Sequence, residues 1–111
     1  MTPSSADSLI LAMLRRLALK PDAVWVSKQA RSDLMAHGLT VADICDAIVE
    51  CVDANERVKP TILHSFKDRV GQPAYELKQR INGTLYYVKV AVDDPQGKNE
   101  RMVLLSNHPD H

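Results

Sequence analysis

The residues best placed to do chemistry lie on two runs of alternating polarity, residues 74–81 and 84–92, on either side of Asn82-Gly83. Asn-Gly between alternating runs is the strongest short-range signal for a two-residue type I′ hairpin. Because side chains alternate across a sheet, this hairpin places its basic side chains and one tyrosine on a single face. That face carries Glu76, Lys78, Arg80, Leu85, Tyr87 and Lys89.

Such a face has two interpretations. Lysine and arginine can hold phosphates while a base stacks on the tyrosine ring, which is the chemistry of single-stranded nucleic-acid binding. Exposed lysine and arginine are also routine on the polar face of a half-buried sheet. The hairpin pattern alone leaves both interpretations open.

Cysteine and histidine are too few and too scattered for a predicted metal centre. Cys45 and Cys51 are the only cysteines, and six residues along a helix turn them to different sides, so they cannot bridge. The four histidines lack the paired spacing of a zinc site. The sequence therefore predicts no disulfide, no metal and no cofactor.

Three helices are predicted in the first half of the chain. Candidate caps precede apolar residues at helical spacing, and Pro21 ends the first helix. A short strand over residues 23–26 and a helix over residues 28–37 come next, with Gly38 just past the helix end. A capping box of Thr40 and Asp43 starts the third helix, which has the strongest helical period of the chain.

After about residue 57 the period changes from helical to alternating. An extended segment over residues 61–66 and the Asn-Gly hairpin are followed by a polar loop over residues 93–100 and a strand over residues 102–106. Helices followed by hairpin strands predict an α+β fold. We expect one domain over residues 1–111, with two to three N-terminal helices packed on one face of a small antiparallel sheet.

The charge is balanced overall but unevenly distributed. The 111 residues hold 14 Lys and Arg against 14 Asp and Glu, which argues against a simple basic coat for nucleic acid. The net charge is −3 over residues 1–56, +5 over 57–90 and −2 over 91–111, so positive charge gathers on the predicted sheet. The longest early apolar run, residues 9–14, is far short of a membrane span and lacks the flanks of a secretory signal. A cytoplasmic protein that does not enter membranes is therefore expected.

A wider pattern runs through the second half of the chain: Lys59, Gln72-x-x-Tyr75, Gly83, Tyr87-Val88-Lys89-Val90 and Ser106-Asn107-His108. In order and spacing it resembles the MqsR family of toxins, part of the RelE-like group of bacterial toxin–antitoxin systems. The alternation of side chains along the hairpin agrees with this pattern, because it places Tyr87, rather than Tyr86, on the basic face. Asn107 stands where the family pattern has an aromatic residue.

The resemblance implies a RelE-like fold and a metal-independent endoribonuclease that acts on messenger RNA with the ribose 2′-hydroxyl as nucleophile. It implies no cofactor, and it implies a cognate antitoxin partner that often binds DNA. Such chemistry must take one proton, give another and stabilise a dianionic transition state. The alternative left open is a RelE-like module that binds RNA or protein without cleaving.

Candidate roles follow from the matched positions. The catalytic candidates are Lys59 and Gln72 as phosphate ligands, Tyr87 as an acid or phosphate donor, and His108 as general acid or base, since a free histidine titrates near pH 6.5. Trp25 is out of phase with its valine neighbours on the short first strand and is predicted to be a packing residue. The candidates for contacts to RNA phosphates are Lys67, Arg69, Lys78, Arg80 and Lys89.

Overall fold

The computed structural model describes residues 7–64, 69–95 and 97–109, which form an α+β domain. Its helices are α1 (Ser8–Ala18), α2 (Lys28–His37) and α3 (Val41–Asp53), with a 3₁₀ turn at Pro21–Ala23. Its strands are β1 (Trp25–Val26), β2 (Val58–Ile62), β3 (Pro73–Ile81), β4 (Thr84–Asp93) and β5 (Arg101–Pro109). Across these ranges, no helix is both long and apolar enough to cross a membrane.

Side-chain caps set the starts of the helices. The side chains of Asp7 and Ser27 each accept a backbone N–H from the first turn of α1 and α2, at 3.0 Å. The predicted capping box of α3 is confirmed, because Thr40 and Asp43 each accept the backbone N–H of the other. Gly38 ends α2 with a φ of +66°. These bonds satisfy backbone donors that the first turn of a helix leaves without a partner.

The strands form one sheet in the order β1-β5-β4-β3-β2. Neighbouring strands from β5 to β2 are antiparallel, whereas β1 is parallel to β5. The prediction of a purely antiparallel sheet is therefore wrong at this edge. The reason is topological: β5 enters last between β4 and β1, and its antiparallel pairing with β4 gives it the direction of β1.

The β3–β4 hairpin has the predicted turn and register. Asn82 and Gly83 form the turn with φ values of +52° and +84°, both positive as a type I′ turn requires. Lys78 pairs with Tyr87, as a two-residue turn at Asn82-Gly83 requires, and the same register continues along the hairpin.

The outer strands differ from the predicted boundaries. β2 starts at Val58 and ends at Ile62, and residues 65 and 66 of the predicted extended segment lie outside the described part of the chain. β5 runs past residue 106 to Pro109. A bulge shifts its pairing with β4, because Lys89 pairs with Ser106 whereas Val90 pairs with Leu104. Leu105 is the extra residue.

The main core lies between the helices and one face of the sheet. α3 buries an apolar face in this core, as its helical period predicts; Cys45 and Cys51 lie on that face and are both free, and Val41 and Val49 are partly buried against the core. Burial raises the pKa of each thiol to about 11. The sheet side of this core includes Val58, Leu77, Tyr86, Val88, Val90 and Leu104.

The opposite face of the sheet, called the open face below, carries a smaller buried cluster at one end. The chain after β2 folds back over it, with the Leu63 N–H donating to the Gln72 carbonyl at 3.0 Å and the Gly71 N–H donating to the Leu63 carbonyl at 2.9 Å. The other end of the open face carries the polar candidate residues. The buried cluster consists of Leu63, Ala74, Ala91, Val103 and Leu105.

We expect Gly83→Ala to lower the free energy of unfolding by roughly 1–2 kcal/mol, because a side chain at a φ of +84° enters the left-handed region. The matched control is Asn82→Gly, which changes stability by no more than about 0.5 kcal/mol because glycine is favoured in this turn. Urea unfolding followed by circular dichroism measures both variants. Equal stability of Gly83→Ala and wild type would contradict this turn geometry.

Candidate functional site

Strand pairing brings three of the four predicted catalytic residues onto the polar end of the open face. Lys59 pairs with Glu76 across β2 and β3, and Glu76 pairs with Lys89 across β3 and β4. In the adjacent row of cross-strand neighbours, Tyr87 of β4 lies between Lys78 of β3 and His108 of β5. Both rows belong to the same sheet face, so Lys59, Tyr87 and His108 share it; Lys59 lies two strands from Tyr87 and three strands from His108.

The rings of Tyr87 and His108 stack across the two strands. Their centroids are 5.1 Å apart and their planes differ by 21°. The Nδ1 atom of His108 is 3.1 Å from the Pro109 carbonyl oxygen, which can only accept a hydrogen bond. Nδ1 therefore carries the proton in this bond, and the lone pair of neutral His108 lies on Nε2. Since His108 is exposed, Nε2 is available for proton transfer to a bound molecule.

Glu76 joins the two rows through its carboxylate. The carboxylate lies 3.6 Å from the Lys89 ammonium, and its negative charge acts on the Tyr87 hydroxyl. Burial, together with this carboxylate, raises the pKa of Tyr87 well above its ordinary value. Tyr87 therefore stays protonated at neutral pH and acts as a hydrogen-bond donor. Our sequence interpretation gave Glu76 no role, although hairpin parity already placed it among the basic side chains.

A cleft of about 740 Å³ opens beside these rows, between the chain before β2 and the far end of the hairpin. The Arg80 guanidinium lies near the turn and donates to the Gly83 carbonyl at 3.3 Å. The basic residues of the cleft outnumber its carboxylates, so the cleft favours an anionic occupant. Its polar and aromatic lining is Glu56, Arg57, Lys59, Glu76, Lys78, Gln79, Arg80 and Tyr87.

Gln72, the fourth predicted catalytic residue, lies in a different cluster. Its amide nitrogen donates to the Asp93 carboxylate at 3.2 Å, and its amide oxygen accepts from Arg69 at 3.0 Å. Arg69 also donates to Asp93 at 2.6 Å, and this bond is the main reason that the pKa of Asp93 is lowered. Gln72 is four residues from Glu76 along the chain into β3, which is about 13 Å in an extended strand. The structure therefore does not bring Gln72 to Tyr87.

The remaining phosphate candidates divide in the same way. Lys78, Arg80 and Lys89 lie with Tyr87 at the polar end of the open face. Arg69 lies with Asp93 at the other end, and Lys67 is outside the described residues. Two sets of candidates thus occupy opposite ends of one sheet face.

Side chains of α2 hold the end of β5 that carries His108. β1 ends at Val26, so the edge of β5 beyond Leu104 lacks a strand partner on that side. The Ser27 hydroxyl donates to the Leu105 carbonyl at 2.8 Å, and the Asp33 carboxylate accepts the Asn107 N–H at 3.0 Å. These two side chains take the place of a strand and fix the backbone on either side of the bulge.

Asn107 packs on the helix side of β5 and has no exposed surface. Its side-chain nitrogen donates to the Ala30 carbonyl at 3.3 Å, whereas its side-chain oxygen has no hydrogen-bond partner among the described residues. Asn107 thus gives β5 a polar attachment to α2 directly beside His108.

Comparisons of the chain with known protein families, with curated proteins and with solved structures return no match. The architecture and the open face define an α+β domain with a basic, aromatic sheet surface. Among the described side chains, no three His, Cys, Asp or Glu residues are grouped as ligands for a metal ion.

We expect Asp33→Ala to lower the free energy of unfolding by about 1–3 kcal/mol, because it leaves the Asn107 N–H beside α2 without an acceptor. Asp46→Ala, at an exposed position of α3, is the matched control and has little effect. Amide hydrogen exchange reports the local change directly, since the Asn107 amide loses protection in Asp33→Ala. Unchanged protection would mean that Asp33 does not hold β5.

Proposed function

We propose that this chain binds single-stranded RNA on the open face and cleaves it without a metal ion, with the ribose 2′-hydroxyl as nucleophile. The observation that carries the proposal is that Lys59, Tyr87 and His108 lie on one sheet face, with Tyr87 and His108 stacked beside the basic cleft. The expectation rests first on the family pattern, and the strand pairing supports it independently.

The open face has the two features that binding of single-stranded RNA requires, namely basic side chains and an aromatic surface. The lysine and arginine side chains of the cleft attract phosphates, and the stacked rings of Tyr87 and His108 offer a flat surface to a base. Balanced net charge limits only long-range attraction, since the potential at the cleft is set by the charges nearest to it. The duplex is excluded from such a surface because its bases are stacked inside the helix.

The chemistry needs groups on both sides of the scissile phosphate. The 2′-oxygen attacks phosphorus as its proton passes to a base, and the bond to the 5′-oxygen breaks as an acid protonates that leaving oxygen; a 2′,3′-cyclic phosphate remains. Tyr87 contacts Glu76 towards β3 and His108 towards β5. A phosphate above Tyr87 then has a carboxylate on one side and an imidazole on the other, which suits this pair of proton transfers. Lys59 and Lys89 flank Glu76 and would stabilise the negative charge of the transition state.

A second candidate function is binding without cleavage. The position of Gln72 beside Asp93 favours it, because the four residues matched to the family pattern do not form one site. In that case the same face holds RNA or a protein partner, and its acid–base groups serve only for recognition.

The proposed cellular role is that of a toxin which degrades messenger RNA and is neutralised by a cognate antitoxin protein. That role follows from the family resemblance and requires the cleavage activity. Expression of the chain alone should then arrest growth, and loss of the nuclease should relieve the arrest.

We expect the purified chain to cleave single-stranded RNA in EDTA. His108→Ala should lower the rate about 100-fold or more because it removes a proton-transfer group, and should weaken RNA affinity by only about tenfold because it removes one ring of the stack. His37→Ala is the matched control, since His37 is an exposed histidine on the helix side. Denaturing gels measure cleavage, and fluorescence anisotropy with a 2′-O-methyl RNA, which lacks the nucleophile, measures affinity. Salt-sensitive binding with no cleavage by wild type would establish the second candidate instead. Growth arrest that persists in His108→Ala would contradict the toxin role.

We expect Glu76→Gln to tighten binding of a 2′-O-methyl RNA several-fold at low salt, because it removes the carboxylate that competes with phosphate for Lys89. The slope of log K against log salt should steepen by about 0.7, as for one further phosphate contact with a single strand. Cleavage of ordinary RNA should fall at the same time. Glu50→Gln, an exposed change on α3, is the control. Weaker binding by Glu76→Gln would show that the carboxylate supports the RNA site only by ordering it.

A further inference from the structure

Trp25 is exposed on the open face, although its sequence pattern predicts a packing residue. Its neighbours Val24 and Val26 pack against the main core, so alternation turns the indole to the opposite side of the sheet. There 55% of Trp25 is exposed. The indole is therefore accessible to a bound molecule.

The guanidinium of Arg101 lies flat against this indole. Its central carbon is 3.4 Å from the ring centroid, the distance of a stacked pair. The Arg101 Nε atom is 3.5 Å from the Asp93 carboxylate, which also holds Arg69 at 2.6 Å. Asp93 thus orients a planar cation on the ring, and its carboxylate is shared between Arg69 and Arg101. Planar guanidinium groups and aromatic rings are the two surfaces on which proteins stack unpaired bases.

The register places this pair on the same sheet face as the Tyr87–His108 stack, with Trp25 one strand beyond β5. Tyr87 pairs with His108, and four residues further along β4 Ala91 pairs with Val103, which pairs with Trp25. Four residues of strand span about 13 Å, so the two aromatic positions are a few nucleotides apart on the same sheet face. Leu63 covers Val103 between them, and a bound strand would pass beside it.

We infer that Trp25 and Arg101 form a second stacking position for the single-stranded RNA that the Tyr87–His108 stack binds, so that the substrate is an oligonucleotide long enough to reach both. This inference rests on the proposed function and adds the length of RNA that the site takes. A dinucleotide occupies the Tyr87 end alone. A longer single strand places one base at Tyr87 and another on the Trp25–Arg101 pair.

The sole tryptophan of the chain makes the test direct, because its emission reports only on position 25. A 2′-O-methyl RNA of about eight nucleotides, within the site sizes of single-strand binders, should quench Trp25 fluorescence, whereas a dinucleotide should bind without quenching. Anisotropy of labelled oligonucleotides gives the affinities. Trp25→Ala should weaken binding of the longer RNA about tenfold and leave the dinucleotide unchanged, and Trp25→Phe should restore most of the loss.

Leu19→Ala is the matched control, since Leu19 is 56% exposed at the end of α1, on the helix side. If both RNAs bind but Trp25 emission and the affinity of Trp25→Ala stay unchanged, the second stacking position is wrong and the proposed function stands. If Leu19→Ala weakens the longer RNA as much as Trp25→Ala does, the second position is likewise wrong. If neither RNA binds at low salt, the proposed function itself fails.

Discussion

The register of the β3–β4 hairpin is the constraint on which the open face depends. Side chains alternate with a period of two, so a slip of one residue would send Tyr87 and its basic neighbours into the main core and expose Tyr86. The positive φ values of Asn82 and Gly83 fix the turn, and burial of the apolar face excludes the slipped register. A two-residue turn thereby determines which tyrosine faces solvent.

The helices support the open face from the opposite side of the sheet. α2 covers the core side of β5, and its Ser27 and Asp33 side chains bond to the strand where β1 no longer does. Without these bonds the last residues would form the free end of an edge strand, which frays readily. The N-terminal part of the chain is therefore connected to the sheet through polar side-chain contacts as well as through apolar packing.

The sequence predicts much of this fold because its strongest signals are local. The Thr40–Asp43 capping box, the Asn82-Gly83 turn and the alternation on either side of it each specify structure within a few residues. The rest depends on long-range pairing: β1 becomes parallel only because β5 enters beside it, and this pairing also exposes Trp25. The same distinction between local and long-range signals applies to the candidate site. The face on which Tyr87 lies follows from side-chain alternation along the hairpin, whereas the position of Gln72 depends on how the chain folds after β2.

The bulge at Leu105 reverses the alternation of side chains along β5. Met102 and Leu104 face the helices, and strict alternation beyond them would turn His108 into the core and Asn107 outward. The extra residue reverses this phase, so the imidazole reaches Tyr87 while the amide reaches α2. Regular pairing of β5 beyond Leu104, with Leu105 kept but without the bulge, would exchange the two side chains without altering the chemistry of either. The place of His108 on the open face therefore depends on how β5 pairs with β4 and not on residue type alone.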